Sequence, residues 1–210
     1  MTNLPGVILA GGLSRRMGGG DKGLINLGNK TILERVIDKI EPQVSALAIN
    51  INGDHSRFPK YPYSLIADSI GGFAGPLAGV LAGMDWAFKN NYQAVITLAA
   101  DTPFLPEDLV KRLADFAERE NNHITMASAR DPMTGEVRAH PTFGLWNVNL
   151  REDLRKELLG GTRKIIRWAE RHALGYVEFK IEKPGEDPFF NINTPQDLIH
   201  AKDKLSNGLK

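Results

Sequence analysis

VILAGGLSRRMGGGDKG, residues 7–23, decides how this chain is read: three apolar residues run directly into a loop that holds six glycines, two arginines and a lysine. Val7, Ile8 and Leu9 have the character of a short buried strand. The glycines allow successive backbone N–H groups to turn toward one point without a Cβ in the way, and Arg15, Arg16 and Lys22 supply the positive charge that a polyphosphate needs. Residues 15–22 carry three cations and one anion, whereas the whole chain, with 26 basic and 25 acidic residues, has a net charge of only +1. Anion binding is therefore local, and the broad basic face of a nucleic-acid-binding protein is excluded.

The loop fits neither of the two common phosphate-binding patterns. A Walker-type loop places Gly-Lys-Ser/Thr after four spacer residues, but here Lys22 lies between Asp21 and Gly23. A dinucleotide fingerprint opens a helix at once, but here the next helical pattern begins near Thr31. That pattern starts with TILE (31–34), a capping box, and predicts a helix to about Val44 with Ile32, Leu33, Val36, Ile37 and Ile40 on one face.

Beyond it the chain alternates. Residues 46–51 read as a strand ending in a turn at Asn52 and Gly53, and residues 64–67 as a strand ending at Asp68. A second glycine-rich segment, GGFAGP (71–76), leads into a helix with Pro76 at its first position, reaching about Lys89. In this helix Ala78, Gly79, Ala82 and Gly83 allow close approach to strands. Residues 94–100, AVITLAA, read as a central parallel strand covered on both faces, and Pro106 opens a helix to about Glu120. This alternation predicts a doubly wound, mostly parallel sheet, which binds ligands at the carboxyl ends of its strands. The glycine loop, Asp68 and Asp101 all fall there.

From Ile124 the rhythm changes. Strands are expected at 124–129, 142–146 and 176–180, with a polar loop at 130–138 and helices at 152–159 and 163–171. FFNINTPQDL (189–198) places Asn191 and Asn193 on one face of a strand, before a helix capped by Thr194 with Pro195 first. No linker or repeat divides the 210 residues, so one domain is expected over 1–210, its first half binding nucleotide and residues 124–210 shaping an acceptor pocket. There is no cysteine, no signal-peptide pattern and no apolar run of roughly 18 residues, which together suit a soluble cytoplasmic protein.

Asp101 follows seven uncharged residues at the mouth of a buried strand. A carboxylate there suits a hard divalent cation such as Mg²⁺, which takes one or two carboxylates plus phosphate oxygens, or else serves the turn at Thr102 and Pro103. Asp68 has the same position on another strand, with a turn role equally open to it. Asn191 and Asn193 suit either recognition of a heterocycle or phosphate, or bonding to nearby backbone. His140 reads as a structural histidine. The five histidines are scattered and no Ser, His and Asp arrangement is apparent. A glycine loop, two cations and one metal-binding carboxylate, without an activated nucleophile, suit transfer at phosphorus, where positioning and charge do most of the work.

LAGGLSRRMGGGDKG (9–23), GPLAG (75–79), AADTPF (99–104), RAHPT (138–142) and FNINTPQDL (190–198), in this order, resemble the molybdenum cofactor guanylyltransferases over nearly the whole chain. The resemblance implies a Rossmann-like nucleotidyltransferase sheet and transfer of GMP from GTP to the terminal phosphate of molybdopterin, with Mg²⁺ and release of diphosphate. It implies that Leu9, Ala10, Gly11 and Gly12 line the guanine site, and that Lys22, Asn50 and Asp68 contact the nucleotide. Asp101 would bind nucleotide and metal, with Arg16 and Lys22 on the departing diphosphate and Asn191 and Asn193 on the molybdopterin side. Partners implied are an upstream molybdenum-insertion protein and a molybdoenzyme or its chaperone. The rival readings are a molybdopterin cytidylyltransferase, a sugar-phosphate nucleotidyltransferase and a non-catalytic nucleotide-binding module. Cytidylyltransferase relatives tend to carry Leu-Ala-Ala-Gly where this chain has Leu9-Ala10-Gly11-Gly12, and the smaller Gly11 leaves room for a purine.

Overall fold

The computed structural model describes residues 3–11, 22–53, 56, 58, 61–71, 75–162, 164–181, 183 and 186–208. Its centre is a seven-stranded sheet in the order β5-β4-β1-β6-β8-β7-β9. The strands are β1 (Gly6–Leu9), β4 (Leu47–Asn50), β5 (Ser64–Ile66), β6 (Ala94–Ala99), β7 (Ile124–Arg130), β8 (Val137–Asn147) and β9 (Leu174–Lys180). Parallel pairing joins β5, β4, β1 and β6, and joins β7 to β9, while β8 runs antiparallel to both of its neighbours. One reversed strand therefore separates two parallel blocks. β6 is buried as expected, but it is parallel only to β1.

Helices cover both faces. Leu33, Val36, Ile37 and Ile40 of α1 (Ile32–Ile40) and Leu109, Val110 and Leu113 of α3 (Leu109–Glu120) pack with Ile8, Ile49, Ile96 and Leu98. On the opposite face α2 (Pro76–Lys89), α4 (Arg151–Leu159) and α5 (Ile165–Ala169) pack with Val7, Ala48, Val95 and Trp146. Adjacent strand residues thus enter opposite layers, the pleat of a sheet covered on both sides. α6 (Pro195–Gly208) joins Leu27 and Ile32 in a smaller cluster through Ala201. Among the described residues no helix is long and apolar enough to cross a membrane.

Several boundaries differ from expectation for identifiable reasons. The capping box at Thr31 and Glu34 forms in both directions, but α1 ends at Ile40 and continues only as a 3₁₀ turn, Glu41–Gln43, which contains Pro42. α3 begins at Leu109 rather than at Pro106, and Asp108 gives no side-chain cap. Gln43 substitutes from a distance: its Oε1 accepts from Val110 N–H at 3.1 Å and its Nε2 donates to the Pro106 carbonyl at 2.9 Å. The short hairpin of β2 (Asn26–Leu27) and β3 (Lys30–Thr31) had no recognisable alternation. β8 starts five residues earlier than the expected Thr142, passing through Pro141. The ladder is irregular there: Met126 pairs with Gly144 but Ala127 with His140, so Pro141, which has no N–H to give, falls in the bulge.

The expected strand at 189–193 is absent; these residues are irregular. They are tied to the end of β6 by a backbone bond, Ile192 N–H to the Asp101 carbonyl at 2.9 Å, and by side-chain bonds of Asn191 to Asp101 and Thr102.

Candidate functional site

The carboxyl ends of β1, β4, β5 and β6 open into one cleft of about 540 Å³, within the range that holds small-molecule ligands. Leu9, Ala10 and Gly11 enter it from β1, Asn50 and Asn52 from β4, Asp68 from β5, Ala99, Ala100 and Asp101 from β6, and Lys22 from a 3₁₀ turn, Lys22–Leu24. The start of the loop after β1 is pinned on both sides. Ala10 N–H donates to the Asn50 carbonyl at 2.8 Å, and Ala100 N–H donates to the Leu9 carbonyl at 3.2 Å. The N-terminus of α2 contributes Gly75, Pro76 and Gly79, so the positive end of a helix dipole borders the same space.

At one end of the cleft three distant parts of the chain meet. Lys22 Nζ donates to Asp101 Oδ2 at 2.8 Å and to Asn193 Oδ1 at 2.5 Å. Asn191 Nδ2 lies 3.3 Å from Asp101 Oδ1, and Thr102 Oγ1 is 3.4 Å from that oxygen. The side chains of Lys22 and Asp101 keep only 21% and 16% of their exposure, so the pair is drawn partly out of water, where its attraction is less screened. Asn191 and Asn193 both reach Lys22 or Asp101 although no strand holds them, while Ile192 between them is buried in a cluster with Leu27 and Ile32.

The Asn193 end is fixed by the start of α6. Asp197 Oδ2 accepts from the backbone N–H groups of Asn193 and Thr194 at 2.9 and 2.8 Å, and Asp197 N–H donates to Thr194 Oγ1 at 3.2 Å. Burial pushes the Asp197 carboxyl up, but these bonds and the nearby charge of Lys22 together hold it below the usual carboxylate value.

At the other end, Asp68 is held by two amides. Asn50 Nδ2 donates to its Oδ1 at 3.0 Å, Asn52 Nδ2 to its Oδ2 at 2.8 Å, and Asp68 N–H donates to Asn52 Oδ1 at 3.2 Å. Two glycines make room for these amides. A Cβ on Gly79 would lie 2.6 Å from Asn50 Oδ1, and one on Gly11 would lie 2.6 Å from Asn52 Nδ2.

Of the residues singled out from sequence, Leu9, Ala10, Gly11, Lys22, Asn50, Asp68, Asp101 and Asn191 line this cleft, and Asn193 reaches it through Lys22. Gly12, Arg15 and Arg16 lie outside the described residues. Asn52, Gly79 and Thr142 line it unanticipated as site residues. Asn52 was legible by the argument used for Asn191 and Asn193, since Asn50 and Asn52 are also spaced by two, but its neighbour Gly53 marked it as a turn. His140 stays structural: it stacks on Phe189 at 4.5 Å between ring centroids, and burial lowers its pKa.

No group of three or more His, Cys, Asp or Glu side chains capable of holding a metal occurs among the described residues. A nucleotide-borne Mg²⁺ does not require one, because it keeps waters and phosphate oxygens and takes one or two carboxylates. Asp101, at the cleft and already balanced by a cation, fits that requirement.

A family model described as a MobA-like NTP transferase domain matches residues 6–174. A molybdenum cofactor guanylyltransferase of Mesorhizobium japonicum is 45% identical over 202 residues, covering 95% of this chain and 94% of that one. One from Acidovorax ebreus is 39% identical, with 98% and 97% covered. Among solved structures, molybdopterin-guanine dinucleotide biosynthesis protein A from Archaeoglobus fulgidus superposes with a TM-score of 0.72 at 25% identity, covering 97% of this chain and 100% of that one. A 2-C-methyl-D-erythritol 4-phosphate cytidylyltransferase from Thermus thermophilus shares the fold, with a TM-score of 0.73 at 18% identity and 98% and 100% covered. With a family model spanning most of its length and such relatives aligned nearly end to end, the chain belongs to the MobA-like NTP transferase family.

Proposed function

We propose that this chain transfers GMP from GTP to the terminal phosphate of molybdopterin, releasing diphosphate and forming the guanine dinucleotide cofactor. The observation that carries the reading is the convergence of Lys22, Asp101 and Asn193 at one end of the cleft, with the Asn50, Asn52 and Asp68 cluster at the other. One end has the chemistry of phosphate and metal, and the other has hydrogen-bonding groups for a base or ribose.

In this reading an oxygen of the acceptor phosphate attacks the α-phosphorus of GTP. A new P–O–P bond forms, the bond from the α-phosphorus to the bridging oxygen breaks, and that electron pair leaves with diphosphate. A phosphate monoester with a second pKa near ~6 is largely dianionic at neutral pH and needs no general base. This accounts for a site without an activated nucleophile. Lys22, with Arg16, binds the departing diphosphate. Asn191 and Asn193 orient the acceptor, and Leu9, Ala10, Gly11, Gly12, Asn50 and Asp68 hold the nucleoside. Asp101 would hold Mg²⁺, which when bound neutralises charge on the phosphates. Lys22 is the sole cation among the described residues lining the cleft, against Asp68 and Asp101. A triphosphate there calls for further positive charge, which the metal and Arg16 would supply.

One domain over 1–210, a cytoplasmic location suited to a cysteine-free chain, and handover from a molybdenum-insertion protein to a molybdoenzyme or its chaperone belong to the same proposal. The test is turnover with GTP, CTP and UTP on the same molybdopterin acceptor. GTP is the expected substrate; a preference for CTP defeats the reading.

A further inference from the structure

Asn52 lies beyond the end of β4 and lines the cleft, where both ends of its amide are bonded to Asp68. Its Nδ2 donates to Asp68 Oδ2 at 2.8 Å while its Oδ1 accepts from Asp68 N–H at 3.2 Å. Rotating the amide by half a turn would set oxygen against carboxylate oxygen and N–H against N–H, so only one orientation satisfies both bonds. That orientation fixes the carboxylate as well as the main chain that carries it. Asn50 closes the arrangement from the other oxygen at 3.0 Å. A carboxylate offers about four lone-pair positions, and these two amides use two, leaving acceptors at the cleft wall.

The space for the Asn52 amide comes from Gly11. A Cβ there would lie 2.6 Å from Nδ2 and 3.3 Å from Cγ of Asn52, but 3.5 Å from Asn50 Oδ1, an ordinary contact. Gly11 does not have a positive φ, so nothing in its backbone requires glycine. Its missing Cβ is explained by the neighbouring amide.

We propose that Asn52 is a specificity-determining positioning residue: it holds the Asp68 carboxylate so that the two free acceptor positions meet the N1–H and exocyclic amine of guanine, with Gly11 leaving the volume its amide occupies. The inference rests on the guanylyltransferase reading above. Guanine offers two adjacent donors that a carboxylate matches. Cytosine lacks that pair, and hypoxanthine keeps N1–H but lacks the amine.

The experiment is equilibrium binding of GTP, inosine triphosphate and CTP to the full chain with Mg²⁺ and no acceptor, for the wild type, Asn52→Ala, Gly11→Ala and the double variant. Wild-type protein should bind GTP more tightly than inosine triphosphate. Asn52→Ala should weaken GTP about tenfold, weaken inosine triphosphate much less, and leave the melting temperature near the wild-type value. Gly11→Ala should reproduce that pattern by displacing the amide, and should add no further loss once Asn52 is alanine. It also serves alone if Asn52→Ala does not fold. An unchanged ratio of GTP to inosine triphosphate affinity in Asn52→Ala, or losses that multiply in the double variant, overturns the proposal. A wild type that does not select GTP over CTP defeats the functional reading and this inference together; selection retained in full by both single variants defeats the inference alone.

Discussion

The two ends of the cleft are held in different ways. At the base end, neutral amides of Asn50 and Asn52 hold one carboxylate through direct bonds, in volume that two glycines leave open. At the phosphate end, a cation from the glycine loop spans to a carboxylate and an amide brought from residues far along the chain. The first end is preorganised and should lose affinity or selectivity when disturbed. The second is a charge arrangement whose partners would change on binding of the polyphosphate proposed above, so its disturbance should appear in the chemical step.

The largest expected effect tests the phosphate end. Asp101→Asn keeps the size but removes the charge and one acceptor oxygen, and should lower kcat for diphosphate release by about 10²-fold or more, the scale of losing a key electrostatic group. KM for GTP should move far less. A rate within a few-fold of wild type would show that the metal role belongs elsewhere.

Next is the base end, through Gly79→Ala. The added methyl would sit 2.6 Å from Asn50 Oδ1 and 3.0 Å from Leu9 Cδ2, an overpacking that typically costs about 1–3 kcal/mol. Because the displaced atoms line the cleft, the cost should appear as a KM for GTP raised about tenfold with kcat nearly retained. Gly83→Ala, one turn along α2, is the control. The three atoms nearest its Cβ would all be Val7 side-chain atoms, the closest at 3.3 Å inside the core, so it should change stability and leave KM alone. Equal KM effects from both variants would mean that α2 responds as a rigid body and that Gly79 has no local role.

The same contrast explains what could be read from sequence. The parallel block was legible because its strands are short runs ending at turns, and helices with their own start signals follow, as at Thr31 and Pro76. The cleft at the carboxyl ends follows from that topology alone. The region after Ile124 was less so. β8 passes through Pro141 by means of a bulge, a tertiary solution with no local signature. Asn191 and Asn193 reach the site without a strand, held by a backbone bond from Ile192 and by their own amides on Asp101, Thr102 and Lys22. The pairing of Lys22 with Asn193 spans 171 residues, a separation over which local pattern carries no information.

A smaller effect concerns the reversed strand that joins the two parallel blocks. Trp146 Nε1–H donates to Thr97 Oγ1 at 2.7 Å, and that hydroxyl donates to the Thr142 carbonyl at 2.9 Å, which ties β6 to β8 within the core. Thr97→Val keeps the shape and leaves the buried indole N–H unpaired, a loss of about 1–3 kcal/mol. Urea unfolding should show a lower midpoint at unchanged m-value, with the GTP to CTP preference intact. An altered preference would show that β8 transmits to the base end.

The smallest effect separates the two regions by pH. Burial lowers the pKa of His140, opposed by the charge of Asp187 and aided by that of Arg138, and its buried Nε2 has no hydrogen-bond partner among the described residues. The unfolded chain therefore takes up this proton near the ordinary value of 6.5, before the folded one does. The contribution is complete above 6.5 and is lost as pH falls from there through the lower folded value. Asp197 is depressed as well, but for a carboxyl the contribution is present above the ordinary 3.8 and lost only as pH falls through its folded value, a separate and more acidic window. Urea midpoints between pH 8 and 5 should decline for the wild type and flatten for His140→Phe, which keeps the ring against Phe189 and cannot take a proton. Asp197→Asn should leave that slope unchanged and alter only the limb below pH ~4. If wild type and His140→Phe give parallel curves, the acid sensitivity above pH 5 arises outside the β8 region, and the unpaired imidazole is inert.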